Sequence, residues 1–164
     1  MRHFTHGGER IVLALLWGML AAGVPAGAGA EPRETASEVL DATGVKGGLI
    51  VHLGCGDGRL TTALRANDRY LIHGLDADAK NIQKARKYIQ PLALYGKVSV
   101  EHWQCDDLPY ADNLVNLLVA EDLGKVSMAE VMRVLAPLGV VYIKGPDGRR
   151  GRRAQVGPGG PQCL

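Results

Sequence analysis

Glycines and acidic residues at the ends of apolar runs carry the chemical potential of this 164-residue chain. Gly54, Gly56 and Gly58 form a G-x-G-x-G turn directly after the apolar run 49–53. With no Cβ, they let the backbone bend tightly and approach a ligand closely, and the helix that follows offers its amide-bearing N-terminus. Asp76 closes the next apolar run, 20 residues beyond Gly56, a spacing at which a carboxylate accepts hydrogen bonds from two ribose hydroxyls. Asp106 and Asp107 follow a third run and suit the exocyclic amine of an adenine; Glu121 and Asp122 follow a fourth. A glycine turn with a distant carboxylate points to an adenosine-containing ligand. The third glycine comes one position too early for the dinucleotide fingerprint G-x-G-x-x-G, which argues against a nicotinamide-dependent oxidoreductase, and no Lys-Ser or Lys-Thr completes a P-loop.

Other reactive side chains have blander readings. His52, His73 and His102 lie in or at the ends of apolar runs, and their spacings with Cys55 and Cys105 match no metal-ligand pair. They are expected to be packed or hydrogen-bonded histidines, with no metal site. Cys55, Cys105 and Cys163 are too few for a disulfide framework and are expected to be free thiols. Tyr110 suits either packing or a lid over an adenine. Arg149, Arg150, Arg152 and Arg153 form a basic run without interleaved aromatics, so no nucleic-acid partner is expected.

The elements that must position these residues alternate in type. A T-x-x-E capping box at Thr35 and Glu38, stopped by Gly44, predicts a short opening helix. Strand-like runs at 49–53, 70–75, 98–102, 114–120 and 139–143, with continuous rather than alternating apolarity in the central ones, predict a parallel sheet. Between them, helices are predicted over 59–66, over 79–89 behind the N-cap Asp78, and after a second capping box at Ser127 and Glu130, with Pro137 as the stop. Alternating strands and helices predict an α/β doubly wound parallel sheet, Rossmann-like, in three α/β/α layers.

The segments IVHLGCGDG, HGLDADAKNIQKAR, CDDLPYADNLVNLLVA and EVMRVLAPLGVVYI, in that order, resemble the successive motifs of class I S-adenosylmethionine-dependent methyltransferases over about residues 36–144. The resemblance implies strand order 3-2-1-4-5 and S-adenosylmethionine as cofactor. It also implies a cofactor-binding set of Gly54, Cys55, Gly56, Gly58, Asp76, Ala77, Asp106, Asp107, Leu108 and Glu121. Methyl transfer from a sulfonium rests on alignment, so no catalytic residue is assigned, and the acceptor is a small molecule or unknown. Three departures stand out: His52 replaces the family's acidic residue in strand one, Val115-Asn116 its F-D pair, and Leu138-Gly139 its G-G. These departures keep open a second reading, a catalytically silent nucleoside-binding or structural module. Exported bacterial chains that resemble this one are in some cases followed by a PQQ-type β-propeller.

Composition sets the boundaries. Residues 1–30 predict a cleaved signal peptide: Arg2 and Arg10, an apolar stretch over 11–24, then Ala28-Gly29-Ala30. The apolar stretch is shorter than the roughly 20 residues a spanning helix requires, so export without a membrane anchor is expected. An exported chain would be separated from cytoplasmic S-adenosylmethionine, which favours the silent module. Residues 31–143 hold 12 Lys/Arg against 15 Asp/Glu, whereas 144–164 hold five against one. The domain is placed at 31–144, and the Gly-, Pro- and Arg-rich segment 145–164 is expected to be disordered. The sheet would then lack the family's last two strands, leaving an open edge for a covering domain or a second copy of the chain.

Overall fold

The computed structural model describes residues 31–144, 152–157 and 160–163. The proposed signal peptide therefore lies outside the described residues. Helix α1 (Pro32–Thr43) starts earlier than the capping box implied, because Pro32 supplies the preset φ of a first helical residue, and it ends at Gly44 in the left-handed region. Strand β1 (Gly48–Leu53) leads through the glycine turn into α2 (Arg59–Ala63), shorter than expected. Strand β2 (Tyr70–Asp76) is followed by α3 (Ala79–Ile89), capped by the Asp78 carboxylate accepting from Lys80 N. A 3-10 turn (Gln90–Leu92) precedes β3 (Val98–His102); β4 (Val115–Ala120), α4 (Met128–Val134) and β5 (Leu135–Ile143) complete the parallel part.

Strand order is β3-β2-β1-β4-β5, all parallel. One sheet face packs through Ile50, Ile72 and Leu117 against Val39 of α1, Leu64 and Ile82 of α3. The other packs through Val51, Leu118 and Val141 against Val131 and Val134 of α4. Both faces of β1 and β4 are thus buried, as their largely apolar sequences require. Among the described residues no helix is long and apolar enough to cross a membrane.

Two expectations are corrected here. Strand five begins at Leu135 rather than 139: Leu135 pairs with Val115, and the register then shifts across Leu138 (φ 65°) before Val140 pairs with Leu117. More importantly, the sheet does not stop at β5, and the 145–164 segment is not wholly irregular. Strand β6 (Arg152–Gly157) pairs antiparallel with Val140–Ile143, and β7 (Gly160–Cys163) pairs antiparallel with β6, giving seven strands. Composition hid these strands because a ladder on an existing edge is made by backbone groups and asks little of the side chains. Pro161 is tolerated because β7 is the outermost strand.

Candidate functional site

The carboxyl ends of the parallel strands bring the glycine turn and Asp76 together. Gly54 N and Cys55 N both donate to Leu75 O, at 2.8 and 3.1 Å, tying the turn to the end of β2. Gly54 and Gly56 hold φ of 73° and 55°, and a Cβ on either would meet open space. The backbone therefore presents a bare surface that no other residue type supplies without strain. Gly56 N donates to Asp76 Oδ2 at 2.9 Å, so the acidic side chain faces the turn. Its other oxygen accepts from Asp78 N at 2.8 Å, and Asn81 Nδ2 stands 3.3 Å from both. Trp103 N donates to Asp76 O at 3.0 Å, bringing the start of the post-β3 loop alongside.

These groups open onto a cleft of about 560 Å³, lined by Gly54, Asp76 and Ala77 on one side, Trp103–Cys105 on the second, and Asp122–Val126 on the third. That volume lies within the roughly 300–1,000 Å³ of small-molecule sites. Gln104 Nε2 and His102 Nε2 both lie 3.0 Å from Ala77 O, and Trp103 Nε1 donates to Asp107 O at 2.8 Å, so the second wall is pinned by hydrogen bonds.

The remaining expected residues lie around this cleft rather than on its wall. Cys55 is buried under the turn, in contact with Gly74. Gly58 packs so closely on α3 that a Cβ would come within 2.9 Å of Ala85 Cβ. Asp106 and Asp107 are exposed, whereas Leu108 is buried with its N–H donating to Glu130 Oε1 at 2.7 Å. Glu121 is exposed and stands 3.4 Å from Lys144 Nζ. Sequence reasoning missed Trp103, Gln104 and the 123–126 loop. The rule of taking the first positions beyond a parallel strand would have found Trp103 and Gln104, which follow β3 directly, whereas 123–126 lie further along the loop after β4.

Burial controls protonation around the cleft. His52, on β1 beneath the turn, has its pKa lowered to about 4 by burial, against the opposing pull of Glu121 and Asp76, and its Nδ1 lies 2.8 Å from Thr61 Oγ1. It is a neutral, packed side chain. Burial, then the nearby Asp76 carboxylate, pushes the Cys55 thiol up to about 12. His73 is lowered by burial and lies 2.8 Å from the Tyr110 hydroxyl, whose own pKa burial raises. Tyr110 is engaged in packing there, edge-on to the imidazole at 5.8 Å. Cys55 and Cys105 are free thiols. Among the described residues no group of three or more His, Cys, Asp or Glu side chains could hold a metal ion.

The methyltransferase domain profile matches residues 50–139, more than half of the chain. A candidate S-adenosyl-L-methionine-dependent methyltransferase from Methanococcus maripaludis is 26% identical, with TM-score 0.62, covering 72% of this chain and 56% of that one. A candidate methyltransferase from Haloferax volcanii, solved with its Trm112 activator, is 28% identical, with TM-score 0.56, over 69% of this chain and 51% of the other. The geranyl diphosphate C-methyltransferase of Streptomyces coelicolor A3(2), solved with S-adenosyl-L-homocysteine, shares the fold at 18% identity and TM-score 0.62, over 68% and 45%. The chain thus spans about half the length of these structures. No curated protein matches the sequence. Its profile match, strand order and glycine–carboxylate geometry place this chain in the class I S-adenosylmethionine-dependent methyltransferase family.

Proposed function

We propose that this chain binds S-adenosylmethionine in the cleft at the carboxyl ends of β1, β2 and β4 and is the cofactor-binding part of a methyltransferase for a small-molecule acceptor. The observation that carries this reading is the Asp76 carboxylate, buried at the cleft wall and 2.9 Å from the amide of Gly56. The chain's groups fit the cofactor. Asp76 uses three donors and, as a carboxylate with about four acceptor positions, keeps capacity for ribose hydroxyls. The bare backbone at Gly54, on the cleft wall, admits the methionine moiety, and Ala77 with Trp103–Cys105 makes the base side. Asp106, Asp107, Leu108 and Glu121 border the site from outside this wall; Cys55 and Gly58 support the turn from below.

When bound, the cofactor supplies an electrophilic methyl group on a sulfonium. The protein's task is then to hold the cofactor still and exclude water on the acceptor side, since alignment supplies much of the rate. Asp122 and Lys125 on the third wall face the space an acceptor would enter.

Calorimetry of the full chain with S-adenosylmethionine and S-adenosylhomocysteine tests the reading. Saturable binding is expected, weakened tenfold or more, about 1.5 kcal/mol, when the charged hydrogen bonds of Asp76 are removed in Asp76→Ala. Absence of heat at millimolar ligand would instead favour the silent module. We also infer export by cleavage after Ala30, supported by the residue pattern of 1–30; an intact mass from secreted material that retains residues 1–30 would refute it.

A further inference from the structure

A second cavity, of about 600 Å³, lies at the opposite end of the sheet from the cofactor cleft. Its wall is made where strands begin: Val45 and Lys46 precede β1, Tyr70 opens β2, and Leu94 precedes β3. The six residues of β1, at about 3.3 Å each, separate it from the glycine turn by roughly 20 Å.

Three cationic residues line this cavity, Arg33 of α1, Lys46 and Arg65, against one acid, Asp41. Arg65 is the anomalous one. Its side chain is only 14% exposed and its buried Nε has no hydrogen-bond partner, while one terminal amine pairs with the solvent-exposed carboxylate of Asp68. A buried guanidinium N–H without a partner costs free energy. Neither Arg33 nor Lys46 forms an ion pair among the described residues, and Asp41 accepts only a long hydrogen bond from Ser37 Oγ. Arg33 and Lys46 are thus unpaired cations, and together with the unpaired Asp41 they leave the lining one net positive charge. Between them the wall is apolar, with Leu40, Val45, Ala63 and Leu94.

We propose that this rear cavity is a binding site for a small organic phosphomonoester, its phosphate held by Arg65, Arg33 and Lys46 and its organic body against the apolar wall. A phosphate anion meets the unpaired cations Arg33 and Lys46, and arginine forms charge-assisted, fork-like hydrogen bonds with it. The volume exceeds what inorganic phosphate alone would fill.

Phenyl phosphate and inorganic phosphate are the probes, titrated into the full chain in about 0.15 M KCl to screen surface charge. Phenyl phosphate is expected to bind saturably and more tightly than inorganic phosphate. Arg65→Gln should weaken it roughly fivefold or more, the loss of one charge-assisted contact. Because Arg65 is largely buried, Arg33→Gln and Lys46→Gln, at exposed positions, serve as variants that keep the fold and should weaken binding in the same direction. Excess S-adenosylhomocysteine should leave the affinity unchanged. No saturable binding by folded protein, undiminished binding in Arg33→Gln and Lys46→Gln, or displacement by S-adenosylhomocysteine would each overturn the assignment.

Discussion

His52 shows how far environment outweighs residue type. It occupies the β1 position where an acidic residue is usual in the family, yet it is 3% exposed, bonded to Thr61 and neutral. Its folded pKa of about 4 lies below the ordinary 6.5, so between these values the unfolded chain binds more protons and stability falls as pH falls. Urea unfolding should register a loss on the order of 3 kcal/mol between pH 7 and pH 4 from this group. His52→Asn should flatten that part of the profile, and an unchanged slope would mean the ring titrates freely. Cys55 and Cys105 form a second contrast of environment. Iodoacetamide at mild alkaline pH should label exposed Cys105 in the native protein and spare Cys55, whose thiolate burial disfavours; peptide mass mapping checks this. The histidines were legible as packed side chains because their spacing suited no metal, whereas the burial of Leu108 and the exposure of its neighbours Asp106 and Asp107 depended on the loop's path.

Among the elements, α4 does more than cover the sheet. Ser127 caps it, its Oγ accepting from Glu130 N at 3.1 Å, but Glu130 does not return the bond as a capping box would. Its carboxylate accepts from Leu108 N and pairs with Arg133, which holds its pKa below the ordinary range. Arg133 in turn donates to Tyr110 O at 3.0 Å and pairs with Asp112. Helix α4 thereby clamps the 108–112 loop that follows the cleft's second wall. Ser127→Ala should cost about 1 kcal/mol in urea unfolding. Arg133→Met should speed amide hydrogen exchange at Leu108 and lower the Tm, and protection unchanged at Leu108 would show that the clamp is inert. The capping signal was readable locally; the diversion of Glu130 was not, because the N–H that donates to it comes from 22 residues away.

At the scale of the molecule, the seven-stranded sheet replaces one liability with another. Strand β6 covers the edge of β5 from Val140 to Ile143, leaving β3 and β7 outermost. Ending the chain after Lys144 would expose that β5 edge while leaving both helical layers in place. Such a truncation is expected to self-associate, seen as larger species in sedimentation velocity, because an unpaired apolar strand edge templates pairing with another chain. A truncated chain that remains monomeric and equally stable would show that β6 contributes nothing to edge protection.

Sequence by itself determined the order of elements from α1 to β5, the five parallel strands, the Asp78 cap of α3 and the placing of the glycine turn and Asp76 at strand ends. Each of these rests on short-range pattern: apolar runs buried on both faces, capping residues, and a turn only glycine adopts easily. Tertiary structure alone decided that Arg152–Gly157 and Gly160–Cys163 add two strands, that Trp103 and Gln104 line the cleft, and that Arg65 is largely covered beside a rear cavity. Those outcomes depend on which backbone edges and side chains meet across distant parts of the chain, and no local periodicity encodes such meetings.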